Sequence, residues 1–395
     1  MTKFDENTGV EIYIHIPFCV KKCAYCDFLS FPADEQTQHS YIRALQKEIA
    51  LRSASIDHKS VTSIYFGGGT PSYINGEYIC DILDTIYYYY GVDEDAEITA
   101  EVNPGTADYA KLKKYHSYGI NRLSLGLQST YDEILKKLGR IHSYNDFKEC
   151  YSNAARAGFN NINVDLIYGV PEQNYEMWSD SLKEIIQLGP KHISTYGLIV
   201  EEGTEFYELY GEDEKMRQGG YKPQLLPDEQ VERIMYYMSI EYLCSSGYSN
   251  YEISNFAKPG YESRHNTGYW IGREYLGMGL GASSYLLGRR FSNTDNLEKY
   301  INMCNSGKLK FSGEQILSQE EKMEEFMFLG LRMTKGVSRR DFLKRFGITV
   351  ESVFGDALNE LRQNGLIMMV EDRIFLTSEG IDVSNYALSK FLLDD

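Results

Sequence analysis

The chain is short of positive charge: 40 Lys and Arg stand against 57 Asp and Glu, a net charge of −17 over 395 residues. Phosphate contacts need a basic surface, so a nucleic-acid-binding face is excluded for the chain as a whole, though a local basic pocket is not. No run of about 18 apolar residues occurs, which excludes a membrane-spanning helix. The stretch Met1-Thr-Lys-Phe-Asp-Glu-Asn7 lacks the apolar core of a signal peptide. A disulfide framework is missing too. Of seven cysteines, Cys80, Cys150, Cys244 and Cys304 are scattered singly, and a reducing cytoplasm is the expected location. Hydrophobic content of 43% and charged content of 25% are those of a soluble globular protein with one large domain and room for smaller ones.

The other three cysteines are crowded. Tyr13-Ile-His-Ile-Pro-Phe-Cys19-Val-Lys-Lys-Cys23-Ala-Tyr-Cys26-Asp-Phe28 spaces them C-x3-C-x2-C, directly after a strand-like run. Thiolates so close are ligands. Three suit three corners of a 4Fe-4S cube and leave the fourth iron without a protein ligand. Zinc is the rival, with His15 available as a fourth ligand. Structural zinc sites, however, usually pair C-x2-C with a second pair further on, and none follows here. Three unrelated packing cysteines would be a coincidence.

Behind this loop, strand and helix alternate. The strands are expected at 11–16, 61–66, 96–102, 122–126, 162–167 and 192–198, with helices at 41–51, 76–89, 107–118, 132–138, 144–157 and 175–188. Six repeats over about 200 residues imply an α/β fold with a parallel sheet, either doubly wound or a TIM-like barrel. Both place their site at the C-terminal strand ends. Cys19, Gly68, Glu101, Gln128 and Asp165 fall at or just past the ends of five different strands, which predicts one shared site.

From about Glu201 the pattern changes. Gly211 to Gly220 reads as a polar connector, 227–244 as a helix, and 247–293 as Tyr-, Gly- and Asn-rich with short β pieces. The segment after Gln319 resembles a small winged-helix module. Its 10 Lys and Arg against 14 Asp and Glu make it a lid or docking domain, not a DNA reader. The expected division is 1–215, 216–312 and 313–395.

Gly67-Gly-Gly-Thr-Pro-Ser72 follows the second strand. Its glycines allow close approach and offer N–H groups to a ligand, and Thr70 adds a hydroxyl; alone, such a run is equally a tight turn. Glu101 and Asp165 could accept amine or hydroxyl protons, Gln128 brings an amide, and Arg140 a carboxylate-binding fork. Each taken singly is more often structural. Gly277-Met-Gly-Leu-Gly-Ala-Ser283 is too loose for a dinucleotide fingerprint and reads as close backbone packing.

The cysteine loop with an aromatic before its third cysteine, followed by G-G-G-T-P, resembles the radical S-adenosylmethionine (SAM) superfamily. Within it the chain resembles the oxygen-independent coproporphyrinogen III dehydrogenase group over essentially its whole length. The resemblance implies a partial (β/α)6 TIM-like barrel with a small C-terminal winged-helix-like domain. It implies that Cys19, Cys23 and Cys26 hold a 4Fe-4S cluster whose open iron SAM chelates. It also implies that an electron, from a donor such as flavodoxin or ferredoxin, cleaves the sulfonium to a 5′-deoxyadenosyl radical. Tyr13, Tyr25, Gly68, Gly69, Thr70, Glu101, Gln128, Arg140 and Asp165 match the family's positions around SAM.

One departure separates the branches. Dehydrogenases of this group resemble C-x3-C-x2-C-x-C, and here the fourth position is Phe28. Their long segment before the loop is not matched, since 18 residues precede Cys19. His265-Asn-Thr-Gly-Tyr-Trp270 resembles the H-N-x-x-Y-W signature of the haem-chaperone (HemW-type) branch. That resemblance implies a protein that binds haem, with His265 as the candidate iron ligand, and passes it to an acceptor protein. Oxidative decarboxylation of coproporphyrinogen III is the alternative. As a bare residue, His265 is more often a hydrogen-bonded loop histidine, and Tyr269 and Trp270 are core as readily as a porphyrin wall.

Overall fold

The computed structural model describes residues 9–56 and 59–393; the polar stretch Met1 to Asn7 lies outside them. The first part of the chain runs β1 (Val10–Ile16), α1 (Glu35–Arg52), β2 (Val61–Gly68), α2 (Gly76–Tyr89), β3 (Val92–Val102), α3 (Tyr109–Ser117) and β4 (Arg122–Gln128). It continues with α4 (Asp132–Lys137), α5 (Tyr144–Ala157), β5 (Ile162–Tyr168), α6 (Tyr175–Leu188) and β6 (His192–Gly197). The helices start where side chains can accept from orphan N–H groups: Asp34, Asn75, Asp108, Ser143 and Asn174 each cap one.

β1 to β6 pair in parallel and in strict sequential order. A doubly wound sheet must reverse its order at a switch point. Winding in one direction throughout is the barrel solution. The barrel stays open, because β6 and β1 pair outward with other strands and not with each other.

The strands alternate: Ile12, Ile14, Ile16, Ile64, Phe66, Leu123, Leu125 and Val164 are buried toward the helices, in the core that α1, α2, α3, α5 and α6 close. The other face, toward the lumen, is polar.

The next elements extend that same sheet. α7 (Glu205–Gln218) and α8 (Glu229–Ser245) precede β7 (Ser249–Glu252) and β8 (Asn255–Ala257), which join β6. After α9 (Arg264–Trp270) come β9 (Tyr275–Met278), β10 (Ser283–Leu286), β11 (Arg289–Ser292), α10 (Leu297–Ser306) and β12 (Ser312–Ile316). β9 pairs in parallel with β1, and β10 to β12 follow antiparallel.

The expected connector at Gly211–Gly220 is therefore a helix. Thr204 caps α7 and Phe206 anchors it in a small apolar cluster with Ala24, Leu138 and Leu198; its polar surface hid it. The division expected at 215 cuts this helix, and the one at 312 meets β12. Gly277 does serve close packing, since a Cβ there would stand 2.0 Å from the Ser283 carbonyl oxygen.

The C-terminal domain has its own core. α11 (Gln319–Gly330), β13 (Val337–Ser338), α12 (Arg339–Phe346), α13 (Val350–Gln363), β14 (Ile367–Val370) and β15 (Arg373–Leu376) follow the winged-helix order, closed by α14 (Ser378–Asp382) and α15 (Ser384–Ser389). The strand pair expected there gains β13 as a third strand.

One buried ion pair ties α1 to the β9–α10 segment. Glu48 accepts from Gly279 N at 2.9 Å, Asn293 Nδ2 at 2.7 Å and Tyr300 Oη at 2.5 Å, and pairs with Arg52 at 3.0 Å. Arg52 in turn donates to the Gly277 carbonyl at 2.7 Å. Removing one partner strands the others in a dry interior. Glu48→Ala is expected to cost about 3–5 kcal/mol, read as a lowered urea midpoint; a shift equivalent to less than about 1 kcal/mol would show that water replaces the carboxylate freely.

Candidate functional site

β1 ends at Ile16 and the chain turns through Pro17 into the cysteine loop. Cys19 N donates to Phe31 O at 3.1 Å, and Ala24 N to Leu138 O at 3.1 Å. From the neighbouring strand end, Gly69 N donates to Ile16 O at 2.8 Å and Thr70 N to Phe18 O at 2.9 Å. A Cβ on Gly69 would stand 2.8 Å from the Phe18 oxygen, and one on Gly68, at φ +111°, 2.5 Å from the His15 ring. The glycine run thus spends N–H groups expected to face a ligand on holding the loop. β2 continues through Gly68, and the next two N–H groups hold the cysteine loop and so are not free for a ligand. The Thr70 hydroxyl lies 3.4 Å from Cys19 Sγ and accepts from Asn103 Nδ2 at 2.8 Å.

Cys19, Cys23, Tyr25, Cys26, Gly68, Gly69, Thr70, Glu101, Gln128, Arg140 and Asp165 line one cavity of about 520 Å³. Tyr13 and His265 are not on its wall. Tyr13 is turned to His15, whose Nδ1 lies 3.1 Å from its Oη, and Tyr65 takes its place at the cavity.

The three thiols are free. Burial pushes Cys19 and Cys26 up, Cys19 against the opposing hydrogen bond of Thr70; a bound metal ion reverses that balance and holds thiolates. The half-buried Arg140 brings positive charge: Nη1 is 3.7 Å from Cys23 Sγ, and Nη2 donates to Asn103 Oδ1 and Gly126 O, both at 2.6 Å. His15 has both ring nitrogens engaged, Nε2 at 2.9 Å from Leu29 O, so it makes a poor fourth zinc ligand. Among the described residues no three His, Cys, Asp or Glu converge on one metal position. A cube binds each thiolate to a different iron and asks for no such convergence, so the donor set fits a cluster with one corner left open.

Gln128 holds φ at +76° beside a bulge at Gly126–Gln128, a conformation rare for a side chain with a Cβ, and it aims into the cavity. Asp165 does not lie at a strand end but in the middle of β5; it lines the cavity because the cavity extends that far down the lumen. It accepts from Ser124 Oγ at 2.9 Å and Asn163 Nδ2 at 2.8 Å. Glu101 accepts from Tyr65 Oη at 2.9 Å. Burial, with Asp165 nearby, pushes Glu101 up to about 7. Asp165 is raised too, by burial. Two carboxyls beside one cavity are poised to accept from hydroxyls or an ammonium.

Tyr65, Asn103, Arg122, Ser124, Asn163, Ser194, Tyr196 and Arg332 also line the cavity and were not singled out in the sequence. Arg122 is 1% exposed and its Nε has no hydrogen-bond partner. The available signal was the two-residue alternation in Arg122-Leu-Ser-Leu-Gly-Leu-Gln128 and Asn163-Val-Asp165: inward positions polar, outward ones apolar.

The lumen's lower end is plugged by α9, so His265 sits on a helix and not in a loop. His265 N donates to Glu97 Oε1 at 3.2 Å. Its Nδ1 lies 2.8 Å from Ser63 Oγ and its Nε2 2.9 Å from Tyr269 Oη, with the ring stacked on Tyr65. Burial and the nearby arginines push this imidazole down to about 3, so it is neutral. The helix can approach because a Cβ at Gly268 would meet Glu11 Oε1 at 2.0 Å. Asn266, next to His265, faces the cavity from below.

Residues 13–185 match the Radical SAM superfamily, and residues 317–383 the HemN C-terminal domain. The chain is 35% identical over 381 residues to the "Heme chaperone HemW" of Bacillus subtilis, covering 96% of this chain and 98% of that one. With the "Heme chaperone HemW" of Escherichia coli it shares 32% over 389 residues, covering 98% of each. Coproporphyrinogen III oxidase (HemN) of Escherichia coli superposes with a TM-score of 0.83 over 98% of this chain and 91% of that one, at 23% identity, a likeness of fold.

Glu101 gives a pH test. The folded protein keeps its proton to about 7, against an ordinary value of 4.5 in the unfolded chain. The folded state thus binds more protons in that window, and stability falls as pH rises through it. Without ligands the protein is expected to lose roughly 2–3 kcal/mol between those values through this group, and Glu101→Gln to flatten that part of the unfolding profile. Parallel profiles for the two proteins would mean that Glu101 is not buried as its surroundings indicate.

Proposed function

We propose a function from one premise: this chain belongs to the radical SAM superfamily and, within it, to the HemW family of heme chaperones. It is a haem-binding transfer protein that carries a 4Fe-4S cluster and exchangeable SAM and hands haem to an acceptor protein, in the cytoplasm. Among the described residues no helix is long and apolar enough to cross a membrane. The observation that carries the reading is full-length likeness to heme chaperones in a chain with Phe28, 64% exposed at the cavity, where the dehydrogenase pattern has a cysteine.

Cys19, Cys23 and Cys26 would hold the cluster, with Arg140 offsetting the charge beside Cys23. Bound together, the cluster and SAM supply one-electron chemistry at a sulfonium, with flavodoxin or ferredoxin as the class of donor. Tyr25, Thr70, Gly68 and Gly69 would shape the wall next to SAM. Glu101 and Asp165 would accept from its hydroxyls or ammonium, Gln128 would offer its amide, and Tyr13 would act from behind Tyr65. His265 would ligate haem iron only by giving up its contact with Ser63 or Tyr269.

Each of Cys19→Ala, Cys23→Ala and Cys26→Ala is expected to abolish the 4Fe-4S absorbance after anaerobic reconstitution, and a full spectrum in any of them would refute that ligand. The reading as a whole is tested on the reconstituted protein with two assays. A haem titration should give stoichiometric binding with a Soret band, which His265→Ala shifts or removes if that imidazole is the ligand. An anaerobic incubation with SAM and coproporphyrinogen III should leave the porphyrinogen unchanged; robust formation of protoporphyrinogen IX would replace the chaperone reading with the dehydrogenase.

A further inference from the structure

A second cavity, of about 470 Å³, opens between α9 and the C-terminal domain. Its floor is apolar, built on Trp270, Phe326 and Met333. Its rim carries Lys335, Lys344, Arg345 and Arg373 against a single acid, Asp341. That is an unusual concentration of positive charge for a chain of net −17. Neighbouring arginines are neutralised locally: Arg339 pairs with Glu351, and Arg340 with Asp372. Among the described residues, the four rim cations face no carboxylate within ion-pair distance; Arg373 reaches the Gly336 carbonyl at 3.4 Å. Trp270 Nε1 is buried without a hydrogen-bond partner, and Arg332 stacks on the indole at 4.4 Å.

An apolar cavity edged by cations that no carboxylate pairs asks for an apolar ligand that carries acids. Its volume is that of a small-molecule site, the aromatic floor suits a ring face, and guanidinium and ammonium groups suit carboxylates. We propose that this cavity seats the haem: the tetrapyrrole lies against Trp270 and Phe326, and its two carboxylates meet the rim of Lys344, Arg345 and Arg373. The inference rests on reading the chain as a haem-binding protein and says where the macrocycle sits. His265 faces neither cavity, so ring stacking and carboxylates are the anchor, whatever group meets the iron.

Placement on α9 gives the seat a connection. Asn266 lines the SAM-side cavity and Trp270, one helical turn on, lines this one, while Arg332 touches both the first cavity and the Trp270 ring.

The test is a haem titration on the full, anaerobically reconstituted protein, followed at the Soret band, comparing it with Lys344→Glu/Arg345→Glu. Both side chains are exposed, so the fold is not at stake. The double variant is expected to weaken haem binding at least about tenfold while its 4Fe-4S absorbance is unchanged. Haem dimethyl ester, whose carboxylates are blocked, should bind the parent protein about as weakly as haem binds the variant. Equal haem affinity in parent and variant would overturn the location and leave the chaperone reading standing. Failure of the parent itself to bind haem would overturn both.

Discussion

The six inner strands point polar side chains inward and apolar ones toward the helices, and what the barrel can hold follows from that alternation. A parallel sheet covered on both faces is usually apolar throughout. Here Glu11, Ser63, Glu97, Thr99, Arg122, Asn163 and His192 are buried in the interior, where each polar atom needs a partner. Many supply one another: Asn163 Oδ1 is 2.6 Å from His192 Nδ1, and its Nδ2 serves both Ser124 and Asp165. Partners run out at Glu11 Oε2, Thr99 Oγ1 and Arg122 Nε. The last of these lines the cavity, where the lumen is open; below it α9 fills the base.

The upper rim depends on backbone, not on side chains. The cysteine loop is held by amides from the glycine run on one side and by Phe31 and Leu138 on the other. Side chains on those glycines would strike the loop's own carbonyls or His15. The run is therefore a clamp on the cysteine loop, and the side chains that line the cavity one layer deeper include Glu101, Asp165 and the strained Gln128.

Much of this was legible in the sequence. The strand–helix alternation placed all six inner strands to within a few residues, and the unusual residues at their ends marked the site. The winding order was not legible, since a barrel and a doubly wound sheet share the same local pattern and differ only in which strands meet. Helix α7 was missed because its surface is polar and Gly211 lies inside it. Asp165 was assigned to a strand end because its depth depends on how far the lumen is filled below. Arg122 and Ser124 read as ordinary strand residues, and only their shared face distinguishes them. The H-N-x-x-Y-W motif was visible as a motif, but its division between two cavities follows from helical geometry and from the docking of a domain that begins 49 residues further on.

That division has a thermodynamic consequence. Helix α9 plugs one chamber with Asn266 and walls another with Trp270, and Gly268 lets it rest directly on Glu11 without intervening side-chain volume. A helix that walls two chambers is a physical link between them. Any factor by which a molecule in the upper chamber changes affinity in the lower one must be returned in full in the other direction.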